Sequence, residues 1–520
     1  MKSTMKALHK RILPILLLFA TAFAATPPLA GDTSVTLLHS NDTHAHIMPF
    51  DSKAYGPETG GIARRANLIR KLKAQTPYAL VLDAGDIFQG TPFYSIFKGE
   101  ACHKLAVAAG YEAVTIGNHE LDNSLENLQT QVANSGIRLL CCNVFYRDSK
   151  RPIFPGYQIF LRNGLKIAVI GSIGNEAWEV IDRKIRAPLF QTDQTTAVRQ
   201  VAQRLRKYVD LIVVLSHAGI EFDEQMAAQI AEIDVIIGGH THEEILEPRL
   251  IHNNPEIGVC NNGLDGTIVV QAGEHGTFLG KLDLLIDDNG QISNYNGQLI
   301  KITSEHEPPP GDQLLELVSR YNHQLEQQMG TVAGFTDKDL SLTKDLKKTH
   351  ILTMGTFTAQ SMLEAGKGDI CVVNSGAIKT GIEAGEITIG EIYEALPYDN
   401  TVVTFTMSGK DVQAMFDFIC SNKTPPDGYQ YAGMNAELDM VKGQAKNILI
   451  GGQPLDAEKK YRVSTSSFMA NGNIDGDKLF AKVESVEDSG VFMRDAAINY
   501  LGRVKTVPDY SRSAVNIIRD

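Results

Sequence analysis

The chain is short of positive charge. Its 520 residues carry 49 Lys and Arg against 61 Asp and Glu, a formal net charge of −12. That deficit argues against a nonspecific nucleic-acid binder and against an anionic membrane surface as partner. It leaves a small anionic substrate open, because metal ions can reverse the field inside a cleft. Cysteine is sparse as well. The six, at positions 102, 141, 142, 260, 371 and 420, include no pair with the two-residue gap of a zinc knuckle or a redox motif. Cys141 and Cys142 follow an apolar run, where a thiol is usually a small buried hydrophobe. A disulfide is compatible with an oxidising compartment, but no pairing is singled out. Internal repeats and low-complexity tracts are absent.

The amino terminus reads as an address. Lys2, Lys6, Lys10 and Arg11 precede the apolar run 12–24, and Ala22-Phe23-Ala24 has the small-x-small pattern of a cleavage site. The run is too short to span a bilayer comfortably, and no Cys follows it closely as a lipid attachment point. The expectation is therefore a signal peptide over 1–24, cleavage near Ala24, a periplasmic or secreted product and no stable membrane anchor. What remains, 43% hydrophobic and 21% charged over the whole chain, is ordinary globular composition, long enough for two or three domains.

A series of apolar runs then ends in polar clusters. Val35-Thr36-Leu37-Leu38 runs into Asn41-Asp42-Thr43-His44. A helical pattern follows over 62–72, with Arg64, Arg65 and Arg70 on its polar side. Tyr78 to Leu82 ends in Asp83-Ala84-Gly85-Asp86. Val114 to Ile116 ends in Gly117-Asn118-His119-Glu120-Leu121-Asp122. Leu211 to Leu215 ends in Ser216-His217, and Val235 to Ile237 in Gly238-Gly239-His240-Thr241-His242. Lys166 to Ile170 is a further strand without such ligands. Helical stretches over 195–208 and 224–230 lie between. Strands that are apolar throughout are covered on both faces, and alternation with helices predicts an α/β layer fold. Such sheets gather their ligands beyond the carboxyl ends of the strands. Past Pro308-Pro309-Pro310, the spacing of Leu314, Val318, Tyr321 and Leu325 predicts a helix over 313–328. A second domain follows, with a helix over 349–365 and a strand over 370–373 ending in Asn374.

Asp42, His44, Asp86, Asn118, His217, His240 and His242 are seven oxygen and nitrogen donors without a thiolate. The set suits Zn, Mn, Fe or Co. Seven are too many for one tetrahedral ion and fit two divalent ions sharing a carboxylate, for which Asp86 is the natural bridge. Two metals about 3.5–4 Å apart are the usual engine of phosphoester hydrolysis. His119 can carry a proton or steady negative charge, with Asp122 three residues on to orient it.

These motifs, in this order, resemble the calcineurin-like metallophosphoesterases. Asn374-Ser375-Gly376-Ala377-Ile378, Leu396-Pro397-Tyr398-Asp399-Asn400 and Phe468-Met469-Ala470-Asn471-Gly472 resemble the carboxyl-terminal domain of secreted 5′-nucleotidases and UDP-sugar hydrolases. The resemblance implies an αββα sandwich over 32–305, a linker helix within 306–334 and a smaller α/β substrate-binding domain over 335–520. It implies one metal (Zn, Mn or Co) on Asp42, His44, Asp86 and His242, and another on Asp86, Asn118, His217 and His240. His119, oriented by Asp122, would stabilise the phosphoryl group or assist the leaving oxygen. Asn374, Lys379, Tyr429, Phe468 and Asp475 would meet the nucleotide, with Phe468 stacking on the base and Asp475 facing the sugar or base edge. The partner would be a small nucleotide rather than a nucleic-acid polymer, and the chain a monomer.

Three departures bear on specificity. Lys379 stands where the family usually has Arg, so the bidentate fork for phosphate is lost. Gly472-Asn473-Ile474-Asp475-Gly476 carries one residue more than the usual Gly-Gly-Asp-Gly. The second stacking aromatic falls at Tyr429 or Tyr431, Tyr429 being taken first; both are equally compatible with strand core. The leading expectation is release of phosphate from nucleoside 5′-monophosphates, extending to UDP-sugars or other nucleotide pyrophosphates. A 2′,3′-cyclic phosphodiesterase with 3′-nucleotidase activity and a thiosulfohydrolase share the architecture. A nucleotide-binding protein with a dead metal site would have lost a donor, and all seven are present.

Overall fold

The computed structural model describes residues 33–519, apart from 182, 255–261, 344, 345, 348, 423–427, 512 and 513. The expected signal segment and Cys260 lie outside the described residues. The five described cysteines are unpaired and buried.

The first part of the chain is two six-stranded sheets face to face. In one sheet, Thr33–Ser40, Leu80–Asp83, Ala113–Thr115 and Leu139–Leu140 are parallel neighbours. The antiparallel hairpin Phe278–Ile286 and Ile292–Lys301 extends its other edge. In the second sheet, Leu165–Ile173, Leu211–His217, Val235–Gly238 and Gly266–Val270 are parallel, flanked by antiparallel Tyr157–Arg162 and Arg249–His252.

The unbroken apolar strands fill both faces by alternation. Leu211, Val213 and Leu215 join Leu37, Leu82 and Leu282 in the layer between the sheets. Ile212 and Val214 point the other way, against Val198, Ala202 and Met226 of the outer helices. Each such side chain contributes about 1.5–3 kcal/mol over remaining exposed. The four-layer αββα order fixes both sheets with the carboxyl ends of their parallel strands at one rim.

The helix Ile62–Gln75 departs from expectation on its charged side. Arg64 and Arg65 are buried. Arg64 Nε donates to Glu307 Oε2 at 2.5 Å and its Nη2 to Glu58 Oε2 at 2.9 Å. Arg65 lies over the Tyr111 ring at 5.7 Å. Partners distant in sequence, Glu307 above all, make that face an interior one.

The helix Gln313–Met329 starts at Asp312, whose Oδ1 accepts the Leu314 and Leu315 N–H groups at 3.0 and 3.1 Å. Its face of Leu314, Val318, Tyr321 and Leu325 is part of the first domain's core. The remainder holds a five-stranded sheet in the order Tyr429–Ala432, Ile370–Asn374, Lys460–Ser466, Thr401–Ser408, Ser485–Phe492, with a four-stranded sheet beside it. Its first long helix runs Thr353–Ala365, not from 349. The Gln430 side chain takes the Leu352 N–H at 2.9 Å, which anchors the chain in an extended turn just before the helix.

A buried cation is among the links between the two parts. Arg494, 2% exposed, is ion-paired with Asp399, donates to Ser95 Oγ of the first domain at 3.1 Å, and lies between the rings of Tyr393 and Phe492. Asp399 also accepts a hydrogen bond from the Gln89 amide.

Candidate active site

Six of the seven expected donors sit just beyond strand ends at the common rim, and His217 is the last residue of its strand. Five of them, Asp42 (φ 48°), His44 (45°), Asp86 (55°), His240 (79°) and His242 (58°), hold left-handed backbone. That conformation is rare for residues with a Cβ. It is stabilised by links between loops: Asp42 N–H donates to Gly85 O at 2.9 Å, His44 N–H to Asp86 O at 3.0 Å, and His240 N–H to Asp42 Oδ2 at 2.9 Å.

The donors form overlapping groups: Asp42, His44 and His242 in one, and Asp86, His217 and His240 in another, with the atoms of each within 4.8 Å of one another. His44, Asp86 and His119 make a third group between them. Asn118 joins the second group, its Oδ1 lying 3.3 Å from His217 Nε2.

The proton bookkeeping indicates a cation. His217 Nδ1 faces Ala84 O at 2.9 Å and His44 Nδ1 faces Phe88 O at 3.3 Å. A carbonyl only accepts, so each ring carries its proton on Nδ1 and presents a lone pair at Nε2. His242 Nδ1 faces Glu274 Oε2 at 2.6 Å with the same result. His217 Nε2 then meets Asp86 Oδ2 at 3.1 Å and the Asn118 carbonyl oxygen, while His44 Nε2 meets His242 Nε2 at 3.2 Å. With both rings neutral, acceptor would face acceptor in both places; a second proton on His217 and on His242, or a divalent ion at each place, resolves the clash. The residues present fit two divalent ions.

The same demand appears in the titration of the bare site. Burial opposes charge on His217, but Asp86 and Asp42 outweigh it and raise the ring to about 9. His242 is likewise opposed by burial and lifted to about 10 by Asp42 and Glu274. Burial works against ionised Asp86 too, yet His217 and His119 hold that carboxyl far below its usual range.

His119 stands where it was expected to. Its Nδ1 faces Asp122 Oδ2 at 2.7 Å and its backbone N–H donates to Asp86 Oδ1 at 2.9 Å. The ring remains 29% exposed toward a cavity of about 480 Å³ that His44, His240 and His242 also line.

Sequence reasoning passed over several residues. Glu120 is fully buried and accepts four backbone N–H groups: Gly117 at 2.6 Å, Asp86 at 2.9 Å, Ile87 at 2.8 Å and Phe88 at 3.2 Å. It ties the Asp86 loop to the Asn118 loop. Gln89, His46 and His275 line the cavity, and the His46 and His275 rings lie 3.9 Å apart. Glu274 and His275 follow the strand Gly266–Val270. Extending the strand-end rule to that strand finds them.

Residues 35–244 match the family of calcineurin-like phosphoesterases, and residues 329–481 match the carboxyl-terminal domain of 5′-nucleotidase. The chain belongs to the 5′-nucleotidase family. It is a metal-dependent phosphoester hydrolase using two divalent metals. A 5′-nucleotidase of Vibrio cholerae is 27% identical over 506 residues, covering 89% of this chain and 90% of that protein. The trifunctional nucleotide phosphoesterase protein YfkN of Bacillus subtilis is 26% identical over 512 residues, but the match spans 33% of its length. The crystal structure of a 5′-nucleotidase precursor from Thermus thermophilus superposes with a TM-score of 0.61 at 27% identity, covering 94% of this chain and 100% of that one.

The second domain of this 5′-nucleotidase family member carries the remaining expected residues on strand ends, short helices and a loop. Asn374 closes its strand and pairs across the ladder with Tyr429. Tyr429 is buried, and its hydroxyl donates to Ile474 O at 3.2 Å, next to Asp475. Tyr431 faces the same core, its ring 6.1 Å from that of Phe416. Phe468 is 39% exposed. Asp475 has a positive φ of 58°, with Oδ2 accepting from Asn422 Nδ2 at 3.0 Å and Oδ1 lying 2.7 Å from Lys478 Nζ. Lys379 is exposed, its Nζ 4.8 Å from the Tyr398 ring centroid. Among the described residues no helix is long and apolar enough to cross a membrane.

Proposed function

We propose that this chain is a secreted phosphohydrolase acting on nucleoside 5′-monophosphates, with the two groups of donors holding one divalent ion each. The observation that carries the reading is the convergence of Asp42, His44 and His242, and of Asp86, His217 and His240, with the ligand atoms of each group within 4.8 Å of one another. Asp42, His44, Asp86 and His242 would hold one ion and Asp86, Asn118, His217 and His240 the other. Such ions, when bound, supply Lewis acidity for activating water and clamping phosphoryl oxygens.

The chain's own groups do the rest. His119 carries its proton toward the cavity and steadies the charge that develops on the phosphoryl group or the leaving oxygen. Asp122 fixes the tilt of that ring through Nδ1 and supports its charge. Phe468 offers a face for the base, where stacking is worth about 1–3 kcal/mol and tolerates many bases. Asn374, Lys379, Tyr429 and Asp475 would meet the rest of the nucleotide, with Lys379 acting as a point charge. Residues 1–24 would direct export and be removed. The 5′-nucleotidase name of the Vibrio relative and the Thermus precursor supports the choice of ester.

The test is phosphate release by the purified mature protein with Mn, Zn or Co, comparing AMP, 3′-AMP, 2′,3′-cyclic AMP, UDP-glucose and ATP. Fast release from AMP is expected. Activity confined to the 3′ and cyclic esters would overturn the substrate assignment and favour the phosphodiesterase reading, for which Lys379 is the motivating residue.

A further inference from the structure

His44, His217 and His242 each set Nδ1 against an acceptor, and the acceptors differ in charge. His44 and His217 face backbone carbonyls at 3.3 and 2.9 Å. His242 faces a carboxylate, Glu274 Oε2, at 2.6 Å. An ionised acceptor makes the shorter, stronger bond and pushes electron density through the ring to Nε2.

Glu274 is held in place from the metal rim itself. The turn that carries it is pinned on both sides: Asn41 Nδ2 donates to Gly273 O at 2.6 Å, and His275 N–H donates to Asp42 O at 2.7 Å. Glu274 Oε2 also lies 3.5 Å from His275 Nε2, whose ring rests on His46. The loop is thus referenced to Asp42 and its neighbour, and the carboxylate arrives at His242 already oriented.

The consequence is an unequal pair of sites. The position built from Asp42, His44, Asp86 and His242 has two carboxylates in contact and a third behind His242. The position built from Asp86, Asn118, His217 and His240 has one carboxylate and a neutral amide. We infer that Glu274 is a positioning residue which, through His242, makes the Asp42 position the tighter of two inequivalent metal sites. This rests on the two-ion reading above. Glu274 orients a donor and adds charge behind it, without itself touching the ion.

The experiment is a titration of the metal-free full-length mature protein with Mn, followed by calorimetry and by metal content after stepwise chelation. The wild type is expected to release its two ions in separate steps. Glu274→Gln keeps the shape and one acceptor but removes the charge. It is expected to weaken the tighter step about 10–100-fold, the usual effect of losing an outer partner of a ligating histidine, and to leave the weaker step in place. Glu274→Asp retains charge at a shorter reach and is expected to fall between the two. Thermal unfolding of the metal-free forms checks that the variants fold. A role confined to loop stability would shift melting without moving one step selectively. Wild-type and Glu274→Gln titrations that superimpose overturn the inference while leaving the two-ion reading standing. A wild-type chain that takes up no ion overturns both.

Discussion

His119 Nδ1 and Asp122 Oδ2 are 2.7 Å apart across a single turn. Burial resists charge on the ring, but Asp122 and Asp86 together raise it to about 10. The imidazole therefore keeps its proton through neutral pH. Asp122→Asn removes one of the two supporting charges, so the ring loses its proton at lower pH. The alkaline limb of the kcat profile is expected to move to lower pH, with the acid limb unchanged. His119→Ala is expected to lower kcat by about 10²-fold or more, the usual contribution of a positioned proton carrier. An unmoved alkaline limb in Asp122→Asn would count against this pairing.

Gly117 is a packing requirement of the metal rim. A Cβ there would lie 2.0 Å from Asp86 Oδ1 and 2.7 Å from the Asp86 nitrogen. Gly117→Ala is expected to displace the Asp86 carboxylate, lower the metal content per chain and abolish hydrolysis. Gly502→Ala, where a Cβ meets nothing within 4 Å, is the matched control and should change neither quantity. Equal metal content in the two variants would remove Asp86 from the bridge.

Asp83 supplies a stability test away from the donors. It is buried, accepts Ser40 Oγ at 2.5 Å and Gly85 N–H at 2.9 Å, and is pushed up to about 7 by burial despite those bonds. The folded carboxyl thus holds its proton at pH values where the unfolded one has released it. Its contribution is greatest at and below about pH 4 and is lost as pH rises toward 7, by up to about 1.4 kcal/mol per unit. Asp83→Asn cannot ionise. Denaturant unfolding at about pH 5 and about pH 8 should show the variant gaining on the wild type at the higher value. A constant difference would mean that Asp83 is ionised throughout.

The Arg494–Asp399 pair lies in the second domain and reaches the first through Ser95 and Gln89. Removing one partner of a buried pair typically costs about 3–5 kcal/mol. Arg494→Ala is expected to destabilise on that scale and to separate the unfolding of the two domains in calorimetry. Arg503→Ala, which breaks the surface pair with Glu364, should leave a single unchanged transition. A two-domain melt unaffected by Arg494→Ala would show that the interface is held elsewhere.

Much of the donor set was legible because each donor follows an apolar strand directly, and a parallel sheet brings strand ends together whatever the intervening sequence. The linker helix was legible for a similar reason, its period marking Leu314, Val318, Tyr321 and Leu325. Glu120 was not, because its role is to accept N–H groups from three other positions as well as from Gly117. Arg64 and Arg65 looked solvated, since Glu307 and Tyr111 are distant in sequence. Tyr429 and Tyr431 alternate onto one strand face, so period alone gave them the same fate, and a hydroxyl bond to Ile474 is what distinguishes Tyr429.

Left-handed backbone at Asp42, His44, Asp86, His240 and His242 puts stability and chemistry in opposition. Such a residue is held at a penalty of order 1–3 kcal/mol, and glycine at the same place would relieve it. A lineage freed from the need to hydrolyse anything could therefore drift toward a sturdier fold by discarding these side chains one at a time. The presence of all five in this chain cannot be credited to folding.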